Sequence, residues 1–173
     1  SIEAYTEDAL IRNIAFVFQN VRLFRISIYE NVRLANPDAQ RTEVMEALYQ
    51  AGCDSILDKF KDRENTVIGS KGVYLSGGEK QRIAIARAML KNAKIVILDE
   101  ASAAKAFAHL MKGKTVMMIA HRLSSIRNVD EILVLEDGKI VERGTDAALM
   151  ATDTKYREYQ TLYEQANEWR VVR

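Results

Sequence analysis

The chain has 173 residues, which is enough for one domain with a substantial hydrophobic core. Its 25 Lys and Arg residues nearly balance its 24 Asp and Glu residues, which argues against a basic surface for nucleic acid and against an acidic tail. No apolar run approaches the ~20 residues of a membrane-spanning helix, so we expect any membrane association to be made through a partner.

The first predicted element is a strand. The segment from Ser1 to Leu10 is polar and is predicted to be irregular, whereas Ile11 to Phe18 is apolar and rich in residues that favour β-structure. Gln19 follows this strand directly. On its own, a polar residue at this place indicates no more than the end of a strand.

Short helices are predicted next. Ser27 is a suitable N-cap for the helix that follows it. The segment from Thr42 to Ala51 has apolar residues at helical spacing, and Asp54 to Phe60 is predicted to form a further short helix. The single cysteine, Cys53, lies between them and is expected to be a small buried side chain of a cytosolic domain.

The most informative stretch begins at Leu75 and ends at Glu100. It opens with the octet LSGGEKQR, in which Ser76, Gly77 and Gly78 precede a helix predicted over Glu79 to Lys91. The free backbone N–H groups at the start of a helix attract anions such as phosphate. Because glycine has no Cβ, a phosphate can approach the backbone closely at such a turn.

Two later segments are predicted to be buried strands that end in polar residues. Ile95 to Leu98 is apolar and precedes the carboxylates Asp99 and Glu100, and Thr115 to Ala120 precedes His121. Short continuous apolar runs are typical of strands buried on both faces of a parallel sheet. Ligands of open α/β sheets bind at the carboxyl ends of such strands.

The connection between these two strands is unusually short. Only the residues from Ala101 to Lys114 join them, close to the minimum of about 10–12 residues for a parallel crossover with its helix. We therefore expect that residues are absent between Ala103 and Ala104.

The remaining chain is predicted to form a hairpin and a helix. Glu131 to Leu135 and Lys139 to Glu142 flank the turn Glu136-Asp137-Gly138. From Thr145 onward the sequence is helical, and one stripe is predicted to pack on the domain, with a partner-binding helix as the alternative. The stripe consists of Tyr159, Leu162, Tyr163 and Ala166.

The order and spacing of these segments resemble those of ATP-binding cassette (ABC) ATPases. The octet at Leu75 resembles the signature motif of that family, and Ile95 to Glu100 resembles its Walker B strand. His121 to Ile126 resembles its switch loop, or H-loop.

Gln19 matches the glutamine of the Q-loop of that family. Two further segments resemble exporter-type cassettes in particular, and the first is Leu23 to Val32, which resembles the segment that follows the Q-loop in exporters. Thr66 to Gly72 resembles the loop that touches the membrane domain in exporters.

The resemblance implies an α/β fold of the P-loop NTPase type, with a mostly parallel sheet flanked by helices. It also implies an α-helical signature subdomain, formed by about residues 20–93. Residues 1–19 and 94–173 would then form a RecA-like core and the C-terminal helices.

The same resemblance implies roles for individual side chains around ATP and Mg²⁺. Asp99 and Gln19 would hold Mg²⁺, and Gln19 would also help to place the attacking water. Glu100 would deprotonate that water, and His121 would contact the γ-phosphate. The residues that would bind the nucleotide held by a second cassette are Ser76, Gly77, Gly78 and Gln81.

A Walker A loop, Gly-x-x-x-x-Gly-Lys-Ser/Thr, is not present in the sequence. The one Gly-Lys-Thr, at Gly113, has Ala108 where the motif needs glycine, and it precedes a predicted strand instead of following one. We therefore expect a cassette that lacks its first portion and that is inactive as a separate chain.

The function implied is ATP hydrolysis within an ABC exporter, at the cytoplasmic face of the plasma (inner) membrane. The expected partners are a second cassette, in a homodimer or heterodimer, and a transmembrane domain; no nucleic acid is expected. Two alternatives remain at this point: a soluble, non-transport ABC ATPase, and a non-catalytic cassette fragment that only binds a partner.

Overall fold

The computed structural model describes residues 5–69, 73–99, 104–120 and 126–171. They belong to two compact units, one ending at Ile119 and the other beginning at Ala120. Within these ranges, no helix has both the length and the apolar character needed to cross a membrane.

The first unit combines helices with a small sheet. Its elements are α1 (Glu7–Asn13), β1 (Ile14–Val17), α2 (Ile28–Arg33), α3 (Arg41–Gln50), α4 (Asp54–Leu57), α5 (Gly77–Lys91), β2 (Ile95–Asp99), α6 (Ala104–Met111) and β3 (Thr115–Ile119). The predicted helices after Ser27, around Thr42 and in the signature region are confirmed.

Helix α1 corrects the prediction of an irregular start through Leu10. The hydroxyl of Thr6 accepts a hydrogen bond from the Ala9 N–H at 3.3 Å and so caps the helix. Glu7 and Asp8 lie in the first turn, where carboxylates interact favourably with the helix dipole. The strand therefore begins only at Ile14.

The sheet has the order β1-β2-β3, and both pairings are parallel. The prediction that the strands are parallel is confirmed, but the prediction that they are buried on both faces is wrong. Val96 and Leu98 are fully buried, whereas Phe16, Met117 and Ile119 on the other face are each at least half exposed. The reason is that, among the described residues, the hydrophobic core covers only one face of the three strands.

Helix α5 is the centre of the first unit. It packs against α2, α3, α6 and β1, and it is buried over most of its length, including Ile83, Ile85 and Ala86. Cys53 is buried in the same core, and burial raises the pKa of its thiol to about 12. The predicted burial of Cys53 is confirmed.

The second unit contains β4 (Ile132–Glu136), β5 (Lys139–Gly144), α7 (Asp146–Met150) and α8 (Lys155–Val171). The two strands form the predicted antiparallel hairpin. Asp137 and Gly138 both have positive φ, 48° and 74°, as a tight two-residue hairpin turn requires.

Helix α8 packs through a different face from the predicted one. Tyr156 and Gln160 are buried, whereas Tyr159 and Leu162 are exposed. A polar network fixes this orientation: the Tyr156 hydroxyl donates to Asp146 at 2.6 Å and accepts from the Gln160 amide at 2.7 Å. Since Tyr156 and Gln160 are four residues apart, both lie on one side of the helix.

Candidate functional site

The signature turn, formed by Ser76, Gly77 and Gly78, is held by a capping box at the start of α5. Ser76 is the N-cap, with extended backbone angles (φ −63°, ψ 162°). Its N–H and its hydroxyl both donate to Oε2 of Glu79, each at 2.8 Å, and its hydroxyl oxygen accepts from the Glu79 N–H at 3.4 Å. This reciprocal pattern satisfies donors that the first turn of a helix otherwise leaves free.

The other carboxylate oxygen of Glu79 forms an ion pair with Lys59. Lys59 lies between α4 and the 3-10 turn at Arg63–Asn65, 20 residues before Glu79, so the pair joins two separate segments of the unit. The Lys59 ammonium, followed by the backbone and hydroxyl donors of Ser76, lowers the pKa of Glu79 to about 2.

Because the pKa of Glu79 is lowered in the folded chain, the free energy of unfolding should depend on pH in acid. Between about pH 4.5 and pH 2 the carboxylate is protonated in the unfolded chain and ionised in the folded one, so its contribution to the free energy of unfolding falls as the pH falls. We expect the stability difference between wild type and Glu79→Gln to be constant above about pH 5 and to vanish towards pH 2. Urea unfolding across this range, with Glu158→Gln as an exposed control, measures it; a pH-independent difference contradicts it.

Gly77 and Gly78 have no packing role within the described part of the chain. A Cβ placed on either would meet no atom within 4 Å, and neither glycine has a positive φ. Both are exposed, as is Ser76. The packing of the described residues therefore does not require glycine at either position.

Gln81, predicted as a further nucleotide-binding residue, lies on the buried side of α5 and is 5% exposed. Ser76 and the glycines therefore form the open surface of the turn, and Gln81 lies behind it. Its predicted contact with a nucleotide stays a prediction.

The structure brings Gln19 and Asp99 to the same edge of the sheet. In the parallel register Val17 pairs with Leu98, so Gln19 follows the end of β1 and Asp99 ends the neighbouring β2. Adjacent strands lie about 4.8 Å apart, so the two residues lie close together along this edge. The other two predicted catalytic residues, Glu100 and His121, lie outside the described residues.

The donors at this edge fit a magnesium ion shared with a nucleotide. The described residues hold no cluster of three or more His, Cys, Asp or Glu side chains suited to a metal. Mg²⁺ usually binds through one or two carboxylates together with substrate phosphates and water, so a single half-buried carboxylate, Asp99, with the Gln19 amide nearby meets its needs.

Sequence reasoning missed a second network, centred on Asn31. This side chain is fully buried and bonds to the backbone of Phe24 and Ser27 and to the guanidinium of Arg87 on α5. The contact between Asn31 and Arg87 joins positions 56 residues apart, which no local pattern reveals. The pairing of Lys59 with Glu79 was not predicted for the same reason, since the two residues are 20 positions apart.

A parallel sheet with polar residues at its carboxyl edge, together with a helix that starts at the signature turn, places the chain among α/β proteins of the P-loop NTPase type. The family model described as "ABC transporter" matches residues 1–103, and the chain belongs to this family. The predicted family is confirmed.

Individual relatives come from bacteria and plants. The chain is 43% identical over 172 residues to the ATP-dependent lipid A-core flippase of Pectobacterium atrosepticum, covering 93% of this chain and 30% of the relative. It is 40% identical over 167 residues to ABC transporter B family member 14 of Arabidopsis thaliana, covering 90% of this chain and 13% of the relative. It therefore spans a third or less of the length of these relatives.

A solved structure of a bacterial Atm1-family ABC exporter with ATP bound is similar in fold. The TM-score is 0.83 at 32% sequence identity, over 92% of this chain and 30% of that chain. The predicted α/β class, with a P-loop NTPase-like parallel sheet and flanking helices, is confirmed.

Proposed function

We propose that this chain is part of the ATP-hydrolysing cassette of an ABC exporter. ATP would bind between two cassettes arranged head to tail, and its binding and hydrolysis would drive transport across a membrane. The observation that carries the proposal is the exposed turn of Ser76, Gly77 and Gly78, whose glycines the fold itself does not require. The flippases and the Atm1-family exporter named above support the assignment to exporters.

The signature turn would bind the γ-phosphate of the nucleotide held by the opposite cassette. Backbone N–H groups at the start of α5 and the Ser76 hydroxyl are its donors, and the helix dipole favours the phosphate charge. Gln81 would support this turn from the buried side of the helix. Catalysis of phosphoryl transfer depends mostly on such positioning and electrostatic contacts.

The sheet edge would serve the nucleotide bound by this cassette. Asp99 would hold Mg²⁺ together with Gln19, and the ion would offset the negative charge of the phosphates. Glu100 would accept the proton of the attacking water, and His121 would hydrogen-bond to the γ-phosphate. These roles come from the family resemblance and from the position of Asp99 and Gln19 at one edge.

The proposed partner of the helical part is a transmembrane domain. Phe24, Leu34 and Val67 are large apolar side chains that are each at least half exposed. The segments that carry Phe24 and Val67 lie side by side, since the Ile68 N–H donates to the Ile26 carbonyl at 3.0 Å. Exposed apolar side chains on neighbouring segments mark protein contacts, and such a contact would place the cassette at the cytoplasmic face of the membrane.

The test compares the chain with a complete exporter. The separate chain has no Walker A loop, so calorimetry should detect no micromolar affinity for ATP. An exporter that joins this chain to a Walker A segment and to membrane helices should hydrolyse ATP and move substrate in vesicles. ATPase activity without any membrane partner would favour a soluble ABC ATPase, and the absence of ATPase activity would favour a partner-binding fragment.

A further inference from the structure

The hydroxyl proton of Ser76 already forms a hydrogen bond to the Glu79 carboxylate. The hydroxyl donates to Oε2 of Glu79 at 2.8 Å, and a serine hydroxyl has only one proton to give. In this arrangement it offers only lone pairs to an approaching phosphate oxygen. To donate to a phosphate, the hydroxyl must turn away from the Glu79 carboxylate.

Glu79 also brings a negative charge to the turn where a phosphate would bind. Its carboxylate caps the first turn of α5, a position that favours anions, and it therefore opposes a second anion there. The cation that offsets this charge is Lys59, which pairs with the oxygen that Ser76 does not use.

We propose that Lys59 is a positioning residue for the signature turn, which acts on Ser76 through Glu79. By pairing with the carboxylate, Lys59 weakens the hold of Glu79 on the Ser76 proton and reduces the repulsion between Glu79 and phosphate. The inference rests on the proposed function, because it takes the ligand of this turn to be a phosphate of ATP.

The geometry explains why Lys59 suits this role. Its ammonium reaches a carboxylate that is only 9% exposed, while its own side chain is 57% exposed. Lys59 is 20 residues before Glu79 in the sequence and lies outside the signature octet. It can therefore change the charge balance of the turn without touching the ligand.

The experiment measures steady-state ATP hydrolysis by an exporter that contains this chain. We expect Lys59→Met to raise the KM for ATP about two- to fivefold, the effect of a partly exposed ion pair, with kcat changed less than twofold. Lys59→Arg keeps the charge and should restore the KM. Lys61→Met, an exposed lysine two residues away, is the matched control and should leave both constants unchanged.

A second background separates positioning from simple support of the fold. When Glu79→Gln removes the carboxylate charge, Lys59→Met should no longer raise the KM, because no charge is left to offset. An equal rise in both backgrounds, or a lower melting temperature with an unchanged KM, overturns the inference alone. A wild-type exporter without ATP turnover refutes the proposed function, and this inference with it.

Discussion

Replacing Glu100 with glutamine is expected to lower the rate of ATP hydrolysis by about 10²–10⁴-fold, the usual contribution of a general base. The amide is close to the carboxylate in size, but it cannot accept the proton of the attacking water. ATP binding should persist, because Asp99 at the end of β2 is unchanged and the signature turn lies elsewhere in the chain. The measurement is kcat in an exporter that contains this chain, with ATP binding followed separately.

ATP that stays bound in Glu100→Gln allows a second measurement, which is the association of the two cassettes. Without turnover, the two cassettes should remain closed on ATP, and cross-linking or size-exclusion chromatography should detect the closed pair. Glu158→Gln, an exposed carboxylate on α8, is the matched control and should hydrolyse ATP at the wild-type rate. Wild-type turnover in Glu100→Gln would remove Glu100 from the role of base.

The parallel strands and the main helices could be predicted because their signals are local. Apolar runs that end in polar residues predicted β2 and β3, and a serine before a helical pattern predicted α2 and α5. The family motifs then indicated which strand ends carry the candidate site. Gln19 and Asp99 do lie at one edge, as parallel strands require.

Burial could not be predicted, because it depends on which faces other elements cover. The apolar pattern of β3 suits a strand buried on both sides, yet Met117 and Ile119 are exposed on a face that no described element of the core covers. Likewise, the stripe on α8 is apolar, but the hydrogen bonds between Tyr156, Asp146 and Gln160 select another face.

Polar pairs between distant positions could also not be predicted from the sequence. The signature octet indicates the turn at Ser76, but nothing in its spacing points to Lys59. The octet indicates the candidate phosphate-binding turn, and only the folded chain shows that Lys59 pairs with Glu79 beside it. A motif of neighbouring residues can therefore predict a site without showing the distant residues that contact it.

Replacing Asn31 with leucine is expected to destabilise the first unit by about 3 kcal/mol or more, because several buried polar groups lose their partners together. The Asn31 side chain is fully buried; its oxygen accepts from the Phe24 N–H at 2.9 Å and from Arg87 at 3.2 Å. Its amide donates to the carbonyls of Phe24 and Ser27, each at 3.0 Å. Leucine has as many side-chain heavy atoms as asparagine and is not smaller, so the substitution leaves no cavity.

Urea unfolding of the chain measures this loss, and Asn20→Leu, an exposed asparagine, is the matched control that should change stability by less than about 0.5 kcal/mol. A loss of under about 1 kcal/mol in Asn31→Leu would show that water replaces the missing bonds.

The same network joins the exposed Phe24 segment to the signature helix, and a double-mutant cycle tests that link. Arg87 donates from Nε to the Asn31 carbonyl at 3.0 Å as well as to its side chain, and the guanidinium is partly buried, which lowers its pKa. Arg87→Met removes both contacts. Because the two residues share partners, the combined loss in Asn31→Leu/Arg87→Met should be smaller than the sum of the single losses. Additive losses would mean that Phe24 and α5 are held independently, and that contact between a membrane partner and Phe24 has no direct route to Ser76 through this pair.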